Sequence, residues 1–98
     1  MPFTDEQKAA KGKLEFEVQV GMRMAALIND ELVKKTLDGL LHGIQNDWGA
    51  EQDVAKREVL WHRFNAIVDL VSALKSHIDT GKFAVAQLES MKNAGTQE

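Results

Sequence analysis

Histidine and carboxylate side chains are the residues of this chain that are best suited to metal chemistry. Asp38 precedes His42 by four residues, and Glu58 precedes His62 by four. On an α-helix this spacing places each pair on one face, and such pairs on facing helices bind metals in some bundles. The spacing differs from the Glu-x-x-His of di-iron bundles, and further carboxylates are missing from the apolar faces. We therefore expect solvated side chains and no metal site, with His77 placed near a helix C-terminus.

Other catalytic patterns are incomplete. Gly81-Lys82 matches the end of a phosphate-binding loop, but the earlier glycine and the following Ser or Thr are missing. The spacing of Ser, His and acidic residues indicates no catalytic triad, and the chain contains no tyrosine and no cysteine. The lack of cysteine excludes disulfides, thiolate catalysis and cysteine-ligated zinc. The sequence predicts a protein that is not an enzyme and binds no cofactor.

The charges are mixed in sign along the chain. Twelve Lys and Arg against fifteen Asp and Glu give a formal net charge of −3. The adjacent basic pairs Lys34-Lys35 and Lys56-Arg57 have acidic neighbours, so we expect solvated faces here rather than contacts to DNA phosphates. The N-terminus does not resemble a signal peptide, and no run of 18 apolar residues is long enough to span a membrane. These features predict a soluble, cytoplasmic protein without a membrane partner.

The length predicts a single helical domain over residues 1–98, with fraying expected at 1–12 and 93–98. A chain of 98 residues buries only roughly 60 to 65% of the surface that its unfolded form exposes. Its own core is therefore thin, and oligomerisation is a common remedy.

One apolar stripe organises the chain. Residues at steps of four and three between positions 60 and 78 share one face of a predicted helix, which Trp61 and Val68 widen on one side. A helix with such a broad apolar face needs a partner surface. The stripe consists of Leu60, Phe64, Ile67, Val71, Leu74 and Ile78.

The N-terminal half is also predicted to be helical. Thr4 and Gln7 have the spacing of a capping box at a helix start. Residues 14–20 alternate like a strand, but the sequence offers no second strand to pair with, which favours helix. Asn29 and Asp30 interrupt the helical pattern between residues 22 and 45, which predicts one long helix or two joined near Asn29.

Two further breaks are predicted. Residues 45–52 (QNDWGAEQ) form a connection in which Gly49 caps the preceding helix and Asp53 caps the next. A short connection makes the two helices antiparallel neighbours, with Trp48 folded back as an anchor. Gly81 is suited to a left-handed helix end, which predicts a short C-terminal helix to about Lys92 and a loose tail at 93–98.

The predicted fold is therefore all-α: an antiparallel hairpin of two long helices plus a short C-terminal helix, forming a homo-oligomer. Self-association is expected through the stripe between Leu60 and Ile78 and through the facing residues between Leu32 and Ile44. Gly39 and Gly43 lie four residues apart and would let another helix approach closely. The predicted core and interface residues are Leu32, Leu37, Leu40, Leu41, Ile44, Trp48, Leu60, Trp61, Phe64, Ile67, Val71, Leu74 and Ile78.

A succession of motifs resembles small helical proteins encoded among the head and DNA-packaging genes of tailed bacteriophages. They are AALINDELV at 25–33, Trp48, Asp53, REVLW at 57–61, FNAIVDLVSALKSHI at 64–78 and TGKFAVAQLE at 80–89. The resemblance covers about residues 22–90. It implies a phage setting, in the host cytoplasm or the virion, and a role in assembly, packaging or host interaction. It carries no catalytic residues.

Together these features predict a non-enzymatic structural or interaction protein of a phage that acts through helix–helix self-association, with a phage structural or packaging protein as a further partner. Two alternatives stay open. One is a DNA-packaging subunit that resembles a small terminase and binds DNA, although the charge does not support nucleic acid as a partner. The other is a small inhibitor of a host protein.

Overall fold

The computed structural model describes residues 4–96. Over this range it contains three α-helices, α1 (Asp5–Asn29), α2 (Glu31–Ala50) and α3 (Val54–Thr96), and no strand. The all-α prediction is confirmed, and residues 14–20 lie inside α1 rather than in a strand. None of the three helices combines the length and the apolar character that crossing a membrane requires.

Helix α1 begins with the predicted capping box. The Gln7 backbone N–H donates to Thr4 Oγ1 at 3.1 Å, and the Thr4 N–H donates to Gln7 Oε1 at 2.8 Å. Asp5 and Glu6 lie in the first turn, where their negative charge is favourable beside the helix N-terminus. These contacts satisfy backbone donors that have no partner inside the helix.

Asp30 separates α1 from α2. Its backbone is extended (φ −66°, ψ 129°), and its side chain accepts hydrogen bonds from the N–H groups of Leu32 and Val33. Of the two sequence alternatives for this region, two helices joined near Asn29 is therefore the correct one. One aspartate ends one helix and caps the next because its short carboxylate reaches the free donors of the following turn.

The connection between α2 and α3 is short and capped at both ends. Helix α2 continues through Gly49 and ends at Ala50, so the prediction that Gly49 caps it is wrong. Glu51 takes the C-cap position with extended backbone (φ −83°, ψ 125°). The predicted cap of α3 is confirmed, because Asp53 Oδ2 accepts from the Lys56 N–H at 3.0 Å.

Helix α3 is longer than predicted. It runs through Gly81 to Thr96, so the expected break at Gly81, the separate C-terminal helix and the loose tail at 93–96 are wrong. No glycine among residues 4–96 has a positive φ, so Gly81 does not act as a left-handed cap. Residues 1–3 and 97–98, where fraying was also expected, lie outside the described range, whereas residues 5–12 are helical.

The chain divides into two compact units, and the first contains a close contact between α1 and α3. This unit comprises the described residues up to Ala26 and those from Lys75 onward. A Cβ added to Gly21 would lie 2.9 Å from Gly81 Cα and 3.0 Å from the His77 carbonyl oxygen, and one added to Gly81 would lie 3.1 Å from the Glu17 carbonyl oxygen. Residues 17 and 21 thus meet 81 and 77 in reverse order, so α1 and α3 are antiparallel here. Gly81 is needed for close approach rather than for a turn.

The second unit comprises Leu27–Leu74 and contains α2, the connection and the first half of α3. On α2 the half-buried apolar residues of the unit include Leu37, Leu41 and Ile44. On α3 the half-buried residues of the unit are Arg57, Leu60, Phe64, Asn65, Ile67, Val71 and Leu74. The stripe that the sequence singled out is thus partly covered within the chain itself.

Replacing Asp30 with Ala should destabilise the protein by about 1 kcal/mol, because two N–H groups of α2 lose their acceptor. A urea denaturation curve followed by circular dichroism measures the change. Asp30→Asn retains a capping oxygen and should lose much less, so equal losses in the two variants would contradict the capping role.

The Gly21–Gly81 contact can be tested with matched alanine variants. Gly12→Ala should stabilise the protein by about 0.5–1 kcal/mol, since the site has open space and alanine favours helix. Gly21→Ala should leave the protein less stable than Gly12→Ala by about 1–3 kcal/mol, because its Cβ meets the backbone of α3. Thermal denaturation of both variants measures the difference, and equal gains would show that the contact does not limit stability.

Candidate functional site

The histidine–carboxylate pairs make only local contacts within their own helices. His42 Nδ1 lies 2.8 Å from the Asp38 backbone carbonyl oxygen, a hydrogen bond in which the ring N–H donates. His62 Nε2 lies 3.8 Å from Glu58 Oε1, with both side chains exposed. No group of three or more His, Cys, Asp or Glu residues suited to a metal ion occurs within residues 4–96. The two pairs therefore do not combine into a ligand set there.

The best-organised cluster of side chains lies where α2 and α3 meet. The Arg57 guanidinium carbon is 3.7 Å from the centroid of the Trp48 ring, and Arg57 Nη1 donates to the Glu51 backbone carbonyl oxygen at 3.3 Å. Glu51 Oε1 in turn accepts from the Asp53 N–H at 3.1 Å. The cation–π contact and the hydrogen bonds fasten the end of α2 to the start of α3. Trp48 thus packs back against α3, as an anchor would.

An apolar groove extends from this cluster. It has a volume of about 440 Å³ and is lined by Ile44, Gln45, Trp48, Leu60, Trp61 and Phe64; we call it the tryptophan groove. Trp61 is 56% exposed, and its ring meets the His62 ring edge-on at a centroid distance of 5.3 Å. Gln45 is the one lining residue without an apolar or aromatic side chain, so the groove offers a mainly apolar contact surface.

A second cavity lies beside Leu60 on the other side of this helix pair. Its lining includes Asp47 and Ala50 from α2 with Lys56, Val59 and Arg63 from α3. Its volume is again about 440 Å³, but charged residues of both signs surround it. The two sides of the connection thus differ in chemistry.

The thirteen predicted core and interface residues fall into two groups. Leu32, Leu40, Trp48 and Trp61 are exposed, with Leu32 at 75% and Leu40 at 50%. The others are half-buried: Leu37, Leu41, Ile44, Leu60, Phe64, Ile67, Val71, Leu74 and Ile78. None of the thirteen is fully buried. Among the described residues, Ala84 is the one apolar residue whose side chain is fully buried. Their role in an interface stays a prediction.

Several residues that matter in the structure were not among those predictions. Arg57 was treated as half of a basic pair, although its guanidinium packs on Trp48. Val59 and Leu70 are large apolar side chains with 51% and 53% exposure, beside the stripe rather than in it. A second series at helical steps, Val59, Ala66, Leu70 and Ala73, was the available signal for them.

Comparison of the chain with protein-family models, with curated proteins and with solved structures gives no match.

The Trp48–Arg57 contact can be measured by a double-mutant cycle. Trp48→Ala, Arg57→Ala and the double variant should give a coupling free energy of about 0.5–2 kcal/mol, the range for a cation–π contact that is partly shielded from water. Urea denaturation supplies the four stabilities. Arg63→Ala combined with Trp48→Ala is the control, and similar coupling in both cycles would contradict a specific contact.

Proposed function

We propose that this protein is a non-enzymatic structural or interaction protein that acts by helix–helix self-association. The observation that carries the proposal is the incomplete burial of its apolar side chains. Among the described residues no large side chain is fully buried, whereas thirteen large apolar ones are exposed. Leaving such surface in water is costly, since burying a Leu, Val or Phe side chain contributes roughly 1.5–3 kcal/mol.

The width of the apolar face on α3 supports association with more than one further helix. Trp61 and Val68 extend the stripe on one side, and Val59 and Leu70 extend it on the other; all four are exposed. A helix that contacts a single partner needs only a narrow apolar seam. A wider face is typical of helices in bundles, and a second copy of the chain is the simplest source of the additional helices.

The antiparallel helical hairpin is part of the same proposal. Its support is local to each unit: the Trp48–Arg57 contact across the connection in the second, and the reversed pairing of residues 17 and 21 with 81 and 77 in the first. Both sets of contacts are those that helix segments running in opposite directions would make. An antiparallel pair leaves one side of each helix free, which is the side that an oligomer would use.

The biological setting comes from the resemblance to small helical proteins of tailed-phage head and packaging genes. It implies use in particle assembly or packaging, in the host cytoplasm or in the virion. The basic pairs give DNA binding little support, because Arg57 packs on Trp48 and donates to the Glu51 carbonyl. Its neighbour Lys56 and the pair Lys34-Lys35 are exposed among acidic residues.

Self-association predicts a mass in solution at least twice the 10.9 kDa of one chain. Multi-angle light scattering measures the mass, with and without duplex DNA at low salt. The melting temperature should also rise with protein concentration, because binding between folded chains stabilises the folded state by mass action.

A concentration-independent melting temperature and a mass of one chain at all concentrations would contradict the proposal. A salt-sensitive complex with DNA would support a DNA-packaging role instead. A stable monomer that captures one bacterial protein would support a host inhibitor.

A further inference from the structure

The second unit carries an apolar face beside the connection, on the side opposite the tryptophan groove. On α2 the series Asp47, Gly43, Leu40, Thr36 and Val33 runs away from the connection at steps of four and three. Residues at such steps share one side of a helix. Asp47, the first residue of this series, lines the same cavity as Val59 and Arg63 of α3. The series therefore lies on the side of the α2–α3 pair that contains this cavity.

A matching series runs along α3. Val59, Arg63, Ala66, Leu70 and Ala73 follow one another at steps of four, three, four and three, starting in the same cavity. Both series therefore begin together and lead away from the connection. We call the resulting surface the flank face; its apolar residues are Val33, Leu40, Val59 and Leu70, and its small residues are Thr36, Gly43, Ala66 and Ala73.

The apolar and small residues of the flank face are largely exposed, and Thr36 is the one among them with a polar side chain. Leu40, Val59 and Leu70 are each about half exposed, at 50%, 51% and 53%, and Ala66 and Ala73 are exposed beside them. The Thr36 hydroxyl already donates to the Leu32 carbonyl oxygen at 2.7 Å. Covering this threonine therefore costs no hydrogen bond, so the face can be buried cheaply.

We propose that the flank face is the surface through which two copies of this chain associate. The inference rests on the proposed function and names the partner and the surface. Large and small residues alternate along it: Leu40 and Leu70 project, whereas Gly43 (with nothing within 4 Å of an added Cβ) and Ala66 leave hollows. A two-fold axis across the face brings the leucines of each copy onto the small residues of the other.

The distribution of charge fits a second copy. Asp47 and Lys56 lie at the end of the face nearest the connection, and Arg63 lies one turn further along, between Val59 and Ala66; all three line the shared cavity. With the two copies related by a two-fold axis perpendicular to the helices, these charged ends lie at opposite rims of the interface. The apolar centre of the interface is then bordered by polar residues at both ends, as is usual in protein–protein interfaces.

The face has the size of a small interface. From Val33 to Asp47 on α2, and from Val59 to Ala73 on α3, it spans about 21 Å at a rise of about 1.5 Å per residue, and two helices side by side are about 20 Å wide. Its area is therefore on the order of 400 Å² before side-chain relief is counted. A standard interface buries about 800 Å² of accessible surface per partner, and weak or transient complexes bury less. The flank face thus has the dimensions of a weak dimer surface.

Lysine substitutions on the two sides of α3 test the inference on the full chain. Leu70→Lys introduces a charge into the flank face and should raise the dimer dissociation constant roughly 100-fold or more. Val68→Lys is the matched control, since Val68 is 39% exposed and lies two residues away on the tryptophan-groove side. Sedimentation equilibrium measures the dissociation constants, and circular dichroism checks that both variants stay helical.

A cross-linking experiment keeps the test valid if Leu70→Lys fails to fold. Because the chain has no cysteine, Ala66→Cys supplies a single thiol at the centre of the flank face, and oxidation should yield a disulfide-linked dimer. Ser72→Cys, at an exposed position four residues after Val68 on the tryptophan-groove side, should yield little. Assembly that withstands Leu70→Lys but is lost in Val68→Lys, or equal cross-linking of the two cysteine variants, would overturn the flank face and leave self-association standing. A wild-type chain that is monomeric at all concentrations would overturn both.

Discussion

The packing of this protein depends on how much of an apolar stripe a single neighbouring helix can cover. In the second unit, Leu60, Phe64 and Ile67 on α3 are half-buried, and so are Leu37 and Leu41 on α2. A helix covers only the part of its neighbour that faces it, and the rest of a broad stripe stays in contact with water. Complete burial would require further helices around the same stripe.

Hydrogen bonds and close contacts set where the helices begin and meet. Asp30 caps α2, and Asp53 caps α3, each by accepting from N–H groups of the first turn. At the connection Arg57 joins the Trp48 ring to the Glu51 carbonyl. In the first unit Gly21 and Gly81 bring two backbones into contact. These features fix the boundaries and local pairing of the helices, and they leave the outward apolar side chains for another surface.

The proposed role in assembly depends on apolar surfaces of the second unit. Two of the histidines contact groups one turn away in their own helices: His42 contacts the Asp38 carbonyl and His62 contacts Glu58. The better-formed surfaces are apolar: the tryptophan groove on one side of the second unit and the flank face on the other. A protein of this kind would exert its effect through the shape it builds with other chains, which accords with the phage-assembly setting that the resemblance implies.

The sequence by itself determined the helical class through its apolar periodicity, and it determined the capping box at Thr4 and Gln7 and the cap at Asp53 because these depend on residues three positions apart. It left open whether one long helix or two joined near Asn29 precede the connection, which the structure decided at Asp30. It did not reveal that α3 continues through Gly81, because a glycine at such a position is typical of a helix end. Only the tertiary structure decided that point, since Gly81 lies against Gly21, a residue 60 positions away along the chain. Likewise, only the contacts with α2 near the connection distinguished the tryptophan-groove side of α3 from its flank-face side. Periodicity shows which residues share a face of a helix, but it does not show which helix lies beside that face.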